Sequence, residues 1–324
     1  MPYNSIVTRT ESDALIPEQA SREIIKNVPQ MSAVMSVARR LPNMSSHQFR
    51  MPVLSALATA YFIAGETQSA RDYGLKQTTE QAWTNKYIYA EEIAAIVPIP
   101  ENVIMDIEAG GFDVWGEIRP SLEEAIGLAF DQAVMYGTNA PATWPDDLLT
   151  GAVAAGNSVV LGAVGDLYDD IMAENGLLNK VEVGGYNVTG HIGALTMKGK
   201  LRGLRGDDGQ PLFVRDMQGA AQYSLDGSPI VFPVNGSVDA AQSLMFSGDF
   251  RQIVYSIRQD ITWKILDQAI IQDSEGAIVY NLAQQDMLAM RVTFRCGWQL
   301  PNPINRVQSV EANRYPIAVL KPAP

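Results

Sequence analysis

From Val114 to Val134 the apolar residues fall three and four apart: Val114, Ile118, Leu122, Ala125, Ile126, Ala129, Phe130, Ala133 and Val134. Gly137 follows where a C-terminal cap belongs. The spacing predicts a helix over 112–137, roughly 36 Å long, and sets the length of the domain built on it. Pro120 falls early, so either the first turn is a separate piece or the helix kinks there. The opposite face carries Glu117, Glu123, Glu124 and Asp131, which reads as a solvated face.

What precedes this helix has little core of its own. Residues 1–48 read as an arm, with Pro17 opening a short helix over 17–27 whose Ala20, Ile24 and Val28 are too few to anchor a domain. Residues 49–64 read as extended, with Pro52 arguing against a central strand. A polar stretch follows, GETQSARDYGLKQTTEQ (65–81). Residues 82–97, AWTNKYIYAEEIAAIV, read as one long strand with Trp83, Tyr87 and Tyr89 on one face, ended by Pro98 and Pro100. Two extended runs around a polar tip make a two-stranded ribbon, and an isolated ribbon is marginal in water. It must rest on something, and a neighbouring subunit is the natural candidate.

After the helix, residues 138–157 read as loop and 158–175 as a second helix. From 177 to 280 short strands alternate with turns at Gly184-Gly185, Asp208-Gly209, Asp226-Gly227, Asn235-Gly236 and Gly248-Asp249. In RVTFRCGW (291–298), Val292, Phe294, Cys296 and Trp298 alternate with polar neighbours, a half-buried strand. A chain of 324 residues with 47% hydrophobic residues can bury a sizeable core. The fold class is α+β.

The net charge of −12 is segregated. Residues 1–50 carry six bases against four acids, and residues 51–90 balance at three each. Residues 91–175 hold sixteen acids and only Arg119 as a base, and residues 176–324 hold fourteen bases and thirteen acids. A single large basic face for nucleic acid is excluded. Arm residues such as Arg39 and Arg40 suit either nonspecific phosphate contact or solvation. Ribbon residues Arg71, Asp72, Lys76, Trp83 and Lys86 are candidates for contact with neighbouring subunits, the bases matching the acidic 91–175 segment.

Chemistry is hard to place. One cysteine excludes an internal disulfide, and two histidines, His47 and His191, leave no Cys/His metal cluster and no recognisable nucleophile–base motif. Cys296 reads as a small buried hydrophobe. No phosphate-cradling glycine loop occurs, and Gly206–Gly209 reads as a turn instead of a calcium loop. No catalytic, cofactor or metal residues are assigned. No apolar run reaches the length of a membrane span and no leader pattern opens the chain, so it is expected in the cytoplasm where it is made.

Several stretches, in order, resemble the major capsid proteins of tailed phages with the Hong Kong 97 fold. WTNKYIYAEEIAAIVPIPENVI (83–104) and FDVWGEIRPSLEEAIGLAFDQAVMYGT (112–138) look like that family's extended loop and spine helix. ALTMKGKLRGLRGDDGQPLF (194–213), GSPIVFPV (227–234), LMFSGDFRQIVYSIRQDI (244–261) and MLAMRVTFRCGWQLPNP (287–303) are similar to its apical-domain and closing-strand signatures. The resemblance implies an N-terminal arm (1–48), an extended β-hairpin loop (49–97), a peripheral domain (98–140 and 282–306) with the spine helix, and an axial domain (141–281 and 307–324). It implies a virion component without enzymatic activity or cofactor, assembled in the host cytoplasm. Its hexamers and pentamers would close an icosahedral head around double-stranded DNA held nonspecifically, with scaffolding, portal and decoration proteins as further partners and no membrane. Some members join an extended-loop lysine to a neighbour's asparagine. Here Lys76 and Asn302 would be the candidates, with noncovalent stabilisation the default. The alternatives are an encapsulin-like nanocompartment shell and an acidic α+β enzyme of unknown chemistry.

Overall fold

The apolar stripe forms one unbroken helix, Val114–Tyr136, in a computed structural model that describes residues 32–60, 78–109, 113–205, 224–273 and 275–323. The expected helix over 17–27, the ribbon tip and the Gly206–Gly209 turn lie outside those residues. Asp113 caps the helix by accepting a hydrogen bond from the Gly116 N–H at 3.0 Å. Gly137 closes it in the left-handed region, φ 68°, donating to the Ala133 carbonyl at 3.1 Å. Pro120 sits inside without interrupting it. Only the hydrogen bond that its missing N–H would have made to the Gly116 carbonyl is lost.

The described chain opens with α1 (Ala33–Val37), β1 (Arg39–Arg40), β2 (Gln48–Ala56), β3 (Ala82–Tyr89) and β4 (Glu91–Pro100). Helix α2 (Glu101–Ala109) leads into the long helix, α3, and then α4 (Leu148–Ala154), within the segment expected to be loop. Asp147 caps α4 by accepting from the Thr150 N–H at 2.8 Å. The helix expected over 158–175 is instead β5 (Ser158–Val160), a turn and α5 (Leu167–Met172). The left-handed Gly162, φ 85°, breaks the helical period there. Next come α6 (Leu177–Val183), β6 (Gly190–Gly193), α7 (Leu195–Gly203), β7 (Ser224–Leu225), β8 (Ser228–Val231) and β9 (Met245–Gly248). The last strands are β10 (Val254–Leu266), β11 (Ile270–Gln272), β12 (Ile278–Asn281), β13 (Met287–Gln299) and β14 (Ile317–Lys321).

Two larger sheets carry the cores. The first has order β1-β10-β13-β4, with β13 antiparallel to both β10 and β4. Met290, Val292, Phe294, Cys296 and Trp298 of β13 are buried in a cluster that includes Leu122, Ile126, Phe130 and Val134 of α3. The second sheet has order β5-β14-β9-β6-β8-β7. It shares a separate core with α5, α6 and α7 through Ile171, Leu177, Val181, Met197, Leu201 and Met245. Strand β10, placed by sequence with the axial segment, hydrogen-bonds into the first sheet along β13.

The strand expected over 82–97 breaks at Ala90. Before it, β3 pairs with β2 in a separate two-stranded sheet; after it, β4 joins β13. Ala90 is fully buried and its N–H donates to the His47 carbonyl at 2.9 Å, outside either ladder. Pro98 and Pro100 do not end the strand. They lie in β4, an edge strand, opposite Ala289 and Met287. Glu101 donates its N–H towards the β13 side, to the Asp286 carbonyl, so residues 98 and 100 have their nitrogens on the open edge where no donor is needed.

The crossing needs Gly297 in β13. A Cβ there would collide with the Tyr89 carbonyl oxygen and crowd Ile88. Gly297→Ala is expected to cost roughly 1–3 kcal/mol, as overpacking against backbone does. Thermal or denaturant unfolding of the purified chain checks this, with Gly199→Ala, which meets no atom within 4 Å, as the control. Equal midpoints for the two variants would show the crossing to be looser than described.

Candidate assembly surfaces

Asp131, expected on a solvated face, is fully buried and ties the arm to α3. Its carboxylate accepts from the Ser32 hydroxyl and from the backbone N–H groups of Ala33, at 2.7 Å, and Val34, at 3.1 Å. Ser32 also caps α1 by accepting from the Met35 N–H. Burial pushes the Asp131 carboxyl above its usual range, and the three donated hydrogen bonds oppose that. Ser32, the first described residue of the arm, is thus pinned through a bond spanning 99 positions of sequence.

The ribbon is pinned at its root and exposed beyond it. Met51 and Ile88 pack with Met44, Ala90 and Val254 in a small third core. Trp83, farther along, is 64% exposed. Lys86 lies on the ribbon beside its own chain's Glu311, 3.3 Å from its carboxylate, and not against the acidic 91–175 segment. Glu311 is exposed and Lys86 half-exposed, so the pair adds little stability by itself. Arg40 donates to the Asn43 side chain at 3.1 Å. Arg71, Asp72 and Lys76 lie outside the described residues.

Arg39 does not gather with those ribbon residues. It meets Arg50 and Arg251, neither singled out by sequence, around a cleft of about 430 Å³ at the ribbon's root. Phe49, Met51, Val53 and Val254 line its apolar walls. Two other exposed apolar surfaces also escaped the sequence reading. Helix α2 leaves Val103, Met105 and Ile107 exposed. The β11–β12 hairpin leaves Ile270, Ile278, Val279 and Tyr280 exposed, on a two-stranded sheet separate from the others. Isolated hairpins of this kind are marginal without a covering layer.

The groups considered for chemistry are placed differently. His47 is exposed, with its ring 6.0 Å from that of Tyr89. His191 is buried between Ser247, at 2.8 Å from Nδ1, and the Leu225 carbonyl, at 3.2 Å from Nε2. Cys296 is buried and burial pushes its thiol up, away from the reactive thiolate. Among the described residues no group of three or more His, Cys, Asp or Glu is placed to hold a metal, and no helix is long and apolar enough to cross a membrane. Asn302 is fully engaged: its Nδ2 donates to the Arg314 carbonyl at 2.6 Å, and its Oδ1 accepts from the Tyr186 hydroxyl at 2.8 Å.

The model of the phage capsid family matches residues 13–306. The chain is 23% identical to the major capsid protein of Staphylococcus phage 80alpha over 294 residues, covering 90% of this chain and 83% of that protein. Among solved structures, a chain from Microbacterium phage Oxtober96 matches with a TM-score of 0.81 and 34% identity, over 98% of this chain and 100% of that one. One from Mycobacterium phage Cain matches with a TM-score of 0.79 and 29% identity, over 98% and 99%.

Two outcomes test these local arrangements. Asp131→Asn turns an acceptor into a donor facing the Ala33 and Val34 N–H groups, so about 1–3 kcal/mol is lost and the arm loosens. Faster limited trypsin cleavage at Arg39 or Arg40 reports it, and an unchanged rate would contradict the tie. His191 titrates at about 4 because burial disfavours the imidazolium. The unfolded chain, with an ordinary histidine near 6.5, therefore binds more protons between those values. Stability present above pH 6.5 is lost as pH falls towards 4, and the His191→Asn variant should show a flatter pH dependence of its unfolding midpoint across that window.

Proposed function

The chain belongs to the phage capsid family and is a phage major capsid protein with the Hong Kong 97 fold, and from that premise we propose how it builds a shell. The first sheet with α3 is the peripheral domain, and the six-stranded sheet with its helices is the axial domain. Subunits pack into hexamers and pentamers, assemble in the host cytoplasm and close an icosahedral head around double-stranded DNA. The chain acts as a structural element and not as a catalyst, as its matched relatives are structural capsid proteins.

The observation that carries this reading is the apolar surface left uncovered in one copy. Among the described residues no layer covers the β11–β12 hairpin, with Ile278 61% exposed, and a neighbouring copy supplies it. Arm and ribbon, each tied at its described root, let identical chains make non-identical contacts. DNA is contained more than gripped: a net charge of −12 repels phosphate. The engaged Asn302 amide favours noncovalent joining of subunits over a bond to Lys76.

Electron microscopy of purified particles tests the whole reading, with closed shells containing double-stranded DNA as the expected outcome. Particles enclosing a cargo enzyme, or an ordinary small oligomer under every condition, would overturn it. Ile270→Asp with Ile278→Asp should abolish closed shells while leaving the soluble chain folded by circular dichroism. The Arg71→Glu, Lys76→Glu double variant should lower shell yield at low salt if ribbon bases meet the acidic segment of a neighbour. A denaturing gel of mature particles should show only the 35.3 kDa chain.

A further inference from the structure

Helix α2 and the arginine cleft are complementary in two independent respects. The sequence of α2, ENVIMDIEA, contains Glu101, Asp106 and Glu108 and no base. It also exposes three large apolar side chains, Met105 at 60% the most. The cleft at the ribbon's root pairs an apolar lining, Phe49, Met51 and Val53, with the exposed Arg39, Arg50 and Arg251. None of these three guanidinium groups has a carboxylate partner among the described residues. The acidic face of α3, by contrast, offers carboxylates without exposed large apolar side chains: Leu122, Ile126, Phe130 and Val134 all face the core.

Within one chain the two surfaces cannot meet. Helix α2 begins directly after Pro100, which pairs with Met287 at the start of β13. The cleft adjoins Val254, which pairs with Gln299 at the other end of the same strand. A strand of 13 residues separates them by roughly 40 Å, at about 3.3 Å per residue. Two complementary surfaces at opposite ends of one sheet are satisfied by another copy, and a head-to-tail, heterologous contact of this kind propagates into a ring or an array.

We infer that α2 of one copy docks into the arginine cleft of a neighbouring copy, placing Val103, Met105 or Ile107 on the apolar lining and the α2 carboxylates among Arg39, Arg50 and Arg251. The contact rests on the capsid reading and specifies one of the joints between subunits. Its apolar part supplies cohesion as water leaves both faces, and its charges set register. The joint is therefore salt-sensitive in assembly rate. It also ties the ribbon's root in one subunit to the sheet edge of the next.

The test uses the full chain and two measurements. Arg50→Glu with Arg251→Glu should lower the yield of sedimenting shells at least tenfold. Adding Glu101→Lys and Asp106→Lys to the same chain should restore most of it, since both partners are then reversed. In parallel, Met105→Cys with Arg251→Cys is treated with a short bismaleimide after assembly, the single native cysteine, Cys296, being buried. Covalent dimers and longer ladders in shells, absent from unassembled chain, are expected. Charge reversal without rescue together with no ladder in intact shells would overturn the inference and leave the capsid reading standing. Failure of the unmodified chain to form shells at all would overturn both.

Discussion

The packing of β13 against α3 is the contact on which everything else in the chain is hung. Alternate residues of β13, Met290 through Trp298, turn one face of the strand into a continuous apolar ridge. The matching stripe on α3 covers it. Because β13 is also the strand to which β10 and β4 both hydrogen-bond, one helix–strand contact orders three long strands at once. A cavity opened there, for instance by truncating Phe294 or Phe130, would cost several kcal/mol, since close-packed cores relax only partly.

That body provides fixed exits for two segments that have no core of their own. The ribbon leaves at Ala90, where Gly297 admits the Tyr89 carbonyl and the Met51, Ile88 and Val254 side chains close over the root. The arm is held at Ser32, where the buried Asp131 carboxylate collects three donors. Burying a carboxylate is costly unless its acceptor sites are filled, and breaking such a set leaves an unpaired charge. Each attachment is therefore held by several specific contacts.

Several elements were legible from residue pattern because their physics is local. The three- and four-residue spacing of α3 and its Gly137 cap needed no tertiary information, nor did the alternation in β13. Other readings failed where the deciding partner was remote. Asp131 sits among the acids of α3, yet its environment is set by Ser32, 99 positions away. The run 82–97 has uniform strand propensity, and its break at Ala90 arises because its two halves find different partners. The strand over Val254–Leu266 reads as one more short strand in a region of turns. Only pairing with β13 assigns it to the first sheet. Arg39, Arg50 and Arg251 converge across about two hundred positions, and no sequence signal connects them.

The sequence by itself determined the α+β class, the order of arm, ribbon, long helix and strands, and the segregation of charge. It also carried the family resemblance. The first three follow from periodicity, capping residues and composition, each read within a few turns of chain, and the resemblance rests on the ordered set of stretches that carry it. The tertiary structure decided which apolar residues remain outside after folding: Met105 on α2, Ile278 on the β11–β12 hairpin and Trp83 on the ribbon. It also decided which charges stand beside them without a carboxylate partner among the described residues. Exposure depends on what the rest of the chain covers. An apolar residue in a strand or helix looks the same in sequence whether its cover comes from its own chain or from the next subunit.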